Sequence, residues 1–159
     1  MDKRDFTYRI FVVILSLLQP IIILIVLGEI PSMSTSWNTP LQPLFICVNA
    51  MTSYFFFSAH RWEVPSILLL LLTAFSVESF PIMHNIFAIG FFIMCVYPIY
   101  KLKRWRYYII PYLVGIPIVM NYGLFWGEFW CVWVLSIYHV HIVIHMYKIG
   151  IKRRYHLEK

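Results

Sequence analysis

Residues Ile10 to Leu27 read IFVVILSLLQPIIILIVL, an uncharged and mostly apolar run entered through Lys3, Arg4 and Arg9. A helix crossing the hydrocarbon of a bilayer needs roughly 20 such residues, and this run has that length. A cleavable secretory leader would have a shorter apolar core, about 7 to 15 residues, closed by a small-x-small site. Gly28-Glu29-Ile30-Pro31 offers no such site, so the run is expected to stay as a first membrane span.

Outward from that run, five further apolar stretches follow, and the cations fall at alternate boundaries between them. Basic residues stand at Lys3, Arg4 and Arg9, at Arg61, at Lys101, Lys103, Arg104 and Arg106, and at Lys148, Lys152, Arg153 and Arg154. The turns around Ser32 to Pro40, Glu78 to Pro81 and Asn121 to Gly123 contain no Lys or Arg. Cytoplasmic loops carry the excess of Lys and Arg, so both termini and the basic turns are expected on the cytoplasmic side. The expected fold is all-α, a polytopic six-transmembrane-helix bundle forming one membrane domain over residues 1–159. Its spans are placed at about 8–30, 41–59, 65–80, 81–100, 107–122 and 123–147.

Composition agrees. Hydrophobic residues make up 61% of the chain and charged residues 13%, with a mean hydropathy of +0.75. A soluble domain of this size could not bury so much apolar surface. The net charge of +6 is divided among separate turns and tails and forms no continuous patch, which argues against nucleic acid and for anionic lipid headgroups. The expected partners are membrane lipids, with other membrane proteins as further candidates. Cys47, Cys95 and Cys131 all lie in apolar segments with no C-x-x-C spacing, so they read as small buried hydrophobes rather than a thiol relay. No cofactor is implied.

Ionisable groups inside a bilayer are costly and are kept mostly where they pair or act. Glu29, Glu78, His84 and Glu128 all fall at the outer level of their spans. For Glu29 and Glu78, snorkelling at a helix end is an equally good account. Glu128 lies between Trp126 and Trp130 in a span without other acids, and is expected to face the bundle and bond His84, Asn85 or Asn121. Such a carboxylate and imidazole could form a general acid/base pair or a buried polar tie.

At the inner half of the last span, His141 and His145 are four apart and share a helical face, the spacing at which two imidazoles can grip one metal. His60 could supply a third ligand. With no acidic residue at that level inside the spans, no metal is expected. His139 lies eleven positions after Glu128, about three turns, and so points the same way at another depth.

His84-Asn85-Ile86-Phe87-Ala88 leading into Gly90-Phe91-Phe92, and Glu128-Phe129 followed by His139, resemble the DRAM-type family of small six-span proteins, which includes the post-GPI-attachment lipid-remodelling factors. In that family an outer-facing His opens the fourth span and an acid-aromatic pair opens the sixth; the first outer loop is longer than Pro31 to Pro40 here. The resemblance implies handling or remodelling of lipid or lipid-anchored protein near the outer leaflet. His84 and Glu128 would be the catalytic candidates, with His84 activating a hydroxyl or water and Glu128 orienting it. Glu78, Asn85, Asn121 and His139 would be binding candidates. Ser76 and Ser79 lie near that level, but neither sits in a Gly-x-Ser-x-Gly elbow, so whether the protein is an enzyme stays open. The alternatives are a noncatalytic lipid-embedded subunit, a His-dependent metal lipid hydrolase and a small transporter.

Overall fold

The computed structural model describes residues 3–59 and 61–157, the side chains of 150–157 excepted. The elements are α1 (Lys3–Leu27), a 3-10 helix (Met33–Asn38), α2 (Gln42–Phe57), α3 (Glu63–Ala74), α4 (Pro81–Lys101), a second 3-10 helix (Lys103–Tyr108), α5 (Ile109–Leu113), α6 (Gly115–Tyr122) and α7 (Leu124–Leu157). Among the described residues there is no strand. Three helices are long and apolar enough to cross a membrane, namely Lys3–Leu27, Pro81–Lys101 and Leu124–Ile149, and they mark a membrane protein.

The other three expected spans are shorter as helices. The segment expected at 41–59 is helical for 16 residues, and in place of that expected at 65–80 stands α3, of only 12 residues and ending at Ala74. At 1.5 Å per residue α3 is roughly 18 Å long. It stops because Phe75 turns extended, with φ −100° and ψ 107°, and Ser76 Oγ then accepts the Ser79 N–H at 3.1 Å to form a turn. The segment expected at 107–122 is divided into α5, of five residues, and α6, of eight. Pro117 has no N–H for the Leu113 carbonyl, which is where the helix breaks. Gly28 ends α1 at φ +73°, a left-handed position that a residue with a Cβ would strain to hold.

Neighbouring helices run antiparallel, as the pairs that join them show. Arg9 near the start of α1 donates to Ser58 just past α2 at 3.2 Å, and Ser16 and Thr52 meet lower down at 2.9 Å. Ser53 and Ser66 form a reciprocal clasp between α2 and α3, each hydroxyl bonded to the other's carbonyl at 2.8 and 2.7 Å. Gly90 lies beside Leu68, joining α4 to α3. The Tyr112 hydroxyl donates to the Phe92 carbonyl at 2.9 Å, joining α5 to α4. Where α6 and α7 meet there is no room for a side chain at either glycine: a Cβ on Gly115 would collide with Cys131 Sγ, and one on Gly127 with Val119. Small residues at such crossings let helix backbones approach closely in the absence of a hydrophobic drive.

Three indoles fasten α7 to the rest. Trp126 Nε1 donates to Glu29 at 2.9 Å, Trp130 Nε1 to the Pro111 carbonyl at 2.7 Å, and Trp133 Nε1 to the Leu17 carbonyl at 3.1 Å. The basic turns gather at one end of this bundle, where Arg9 lies over the Phe55 ring and Arg106 over Tyr100. Glu29 and Glu128 lie towards the opposite end.

Candidate functional site at the Glu128 end

Glu128 comes just over one turn after α7 begins, and at 8% exposure it is inside the protein. Its Oε2 accepts the Met33 N–H at 2.6 Å. Met33 opens the first 3-10 helix, so its amide is one of the donors that a helix start leaves without an internal partner. An anionic acceptor is favoured there by the local dipole.

Around this bond the connecting segment is folded rather than loose. Met33 packs with Ile23 and Phe125, the Ser36 hydroxyl donates to the Met33 carbonyl at 2.6 Å, and Ser34 and Ser36 are buried. The short polar loop expected between Pro31 and Pro40 is therefore a plug seated on the bundle, with Trp37 edge-on to Phe45.

The structure does not bring His84 to Glu128. His84 is 3% exposed, and its Nδ1 lies 2.7 Å from the Phe75 carbonyl. Its Nδ1–H caps the end of α3. No hydrogen bond or ion pair joins His84 to Glu128, and the bonds expected from Glu128 to Asn85 or Asn121 are likewise not formed. The reason is angular. At about 100° per residue, His84 shares a face of α4 with the buried Phe91 and Cys95, while Ile89, Ile93 and Tyr100 lie roughly 140 to 180° around the helix. Depth along a span was readable; direction around it was not.

The remaining candidates are dispersed. Glu78 and Asn85 are exposed. Asn121 is exposed, and its amide donates to the Pro117 carbonyl one turn back at 2.7 Å. His139 is in the core near the basic end, ringed by Phe55, Phe56, Trp62 and Tyr138. At that same end Tyr108 bonds His141, and Arg104 lies 3.0 Å from His145 Nε2, with Trp105 stacked on His141. Among the described residues no group of three or more potential metal ligands gathers; His60 lies outside the described residues.

A different feature adjoins Glu128. An apolar groove of about 760 Å³ opens between α4 on one side and α5, α6 and α7 on the other. Ile93 and Tyr97 form one wall, Ile116 and Val119 the other, with Tyr112 also in the lining and Glu128 the single carboxyl along it. The groove exists because the proline-broken α5 and α6 follow α7 closely and so stand away from α4. Pro111, Gly115 and Pro117 were visible signals of that break. Met33 as the partner of Glu128 had no signal in the sequence, because a backbone amide bonds irrespective of its side chain. The chain matches no family model, no curated protein and no solved structure, so the likeness to the DRAM-type family stands on its residues alone.

Proposed function

We propose that this protein spans the membrane six times, with both ends cytoplasmic, and that it handles lipid by holding an acyl chain in the groove beside Glu128. The observation that carries the reading is the groove: about 760 Å³, lined almost wholly by apolar side chains, and formed by α4 and α7, two helices long and apolar enough to cross a membrane. Small-molecule sites of this kind are concave, mostly apolar and about 300 to 1,000 Å³, with few polar groups to fix orientation. In a bilayer the molecule nearest such a cleft is a lipid, and Glu128 is the single carboxyl along it, beside Tyr97, Tyr100 and Tyr112. The reading accords with the lipid-handling role implied by the resemblance to the DRAM-type family. It includes no bond-breaking step.

Native mass spectrometry of the full chain released from nanodiscs tests the groove. A retained phospholipid is expected, and Ile116→Trp, which fills the groove from a side chain 60% exposed, is expected to remove most of it. Equal retention in the variant, or capture of a partner protein's helix in place of lipid, would overturn the reading in favour of the subunit alternative. Topology has its own test. A cysteine replacing the exposed Asn38 is expected to react with an impermeant maleimide only from outside the cell, and one replacing Lys103 only from the cytoplasm. Reaction of both from one side would contradict six spans.

A further inference from the structure

Away from the groove, three helices each carry two polar residues three positions apart: Ser16 and Gln19 on α1, Asn49 and Thr52 on α2, Ser136 and His139 on α7. Residues three apart share a helical face, and all six line one interior cavity of about 60 Å³. A single water needs roughly 10 to 15 Å³ of such space, so the cavity has room for a few waters or one small molecule.

Two of its walls end in atoms that the chain does not satisfy. Gln19 is 2% exposed and His139 3%, yet neither Gln19 Nε2 nor His139 Nε2 has a hydrogen-bond partner among the protein's own groups. In hydrocarbon surroundings such a group costs more than at a wet surface, because nothing else competes to bond it. Their chemistry is complementary. His139 Nδ1 lies 2.7 Å from the Leu135 carbonyl and donates to it, which leaves Nε2 as the lone-pair acceptor. Gln19 Nε2 is an amide donor. Ser16 is already engaged, bonded to the Val12 carbonyl at 3.0 Å and to Thr52 at 2.9 Å.

A cation would meet the Gln19 donor with no carboxylate in the lining to balance its charge. An anion would meet the His139 lone pair. A hydroxyl suits both, since its oxygen accepts from Gln19 and its proton goes to His139.

We propose that this cavity is a binding site for a small uncharged hydroxyl-bearing molecule, which bridges Gln19 Nε2 and His139 Nε2. Water and a short polyol share that chemistry. The site is independent of the acyl groove, because it lies on the opposite face of α4, beside Phe91 rather than Ile93.

Solid-state NMR on the full chain in nanodiscs, with ¹⁵N-labelled histidine, tests it. In ordinary buffer an exchangeable-proton cross-peak to His139 Nε2 is expected from water. In deuterated water with protonated glycerol and the protein itself perdeuterated, aliphatic C–H cross-peaks to the same nitrogen would identify a polyol instead. Either peak should be lost in Gln19→Met, which keeps the volume and removes the donor; Gln19→Leu serves as a second such variant. The unsubstituted protein decides the first step by itself: no cross-peak in either solvent overturns the proposal. So does a peak that persists unchanged in a folded Gln19 variant.

Discussion

Replacing Gly127 with leucine is expected to be among the most damaging single changes in the chain. A Cβ there would collide with Val119 Cγ2, and would lie 3.2 Å from Val119 Cβ and 3.3 Å from the Gly115 carbonyl oxygen. Valine has one strongly preferred side-chain rotamer in a helix, and a backbone carbonyl cannot move aside cheaply. Overpacking of this kind costs about 1 to 3 kcal/mol, and leucine adds bulk beyond the Cβ. The unfolding midpoint in mixed detergent should fall accordingly. Gly90→Ala is the control: its new methyl would meet Leu68 at 3.5 Å, an ordinary contact, and mid-helix alanine is favoured over glycine by about 0.5 to 1 kcal/mol, so it should not destabilise. Equal tolerance of both substitutions would show that α6 and α7 are not packed as described.

Glu128→Ala should have the second large effect, and a local one. It removes the acceptor from the Met33 N–H and leaves a buried donor unpaired, a loss of about 1 to 3 kcal/mol. The cost should appear first as faster amide exchange across Met33–Asn38, because that short helix is joined to α7 through this bond. Glu128→Gln keeps an acceptor oxygen and should lose less. If exchange across that helix is the same in the wild type and in Glu128→Ala, the carboxylate does not hold the plug.

The membrane class was legible because it depends on sums. The uncharged run before Gly28 and the cations at Arg61 and from Lys101 to Arg106 needed no knowledge of packing. Helix ends were less legible: Phe75, Val77 and Phe80 continue the apolar pattern past Ala74, while the backbone from Phe75 to Phe80 is not helical. Pro111 and Pro117 interrupt a helix in any sequence, but do not say that the break opens a groove against α4. The expected meeting of His84 and Glu128 failed for a related reason: neither the partner carbonyl of Phe75 nor the amide of Met33 has a side-chain signature. Gln19 belongs to no motif in the first apolar run. Its use became visible once α1, α2 and α7 were seen to turn Gln19, Asn49 and His139 into the same cavity.

The lipid reading is tested most directly by cross-linking the full chain, in its native membrane, to a phospholipid carrying a diazirine midway along one acyl chain, then mapping the adducts. Adducts should concentrate on Ile93, Tyr97, Ile116 and Val119, which face one another across the groove, and should fall away in Ile116→Trp. Adducts spread evenly over outward-facing residues such as Phe11, Ile25, Ile67 and Ile110, with no concentration at the groove, would mean that lipid merely surrounds the protein.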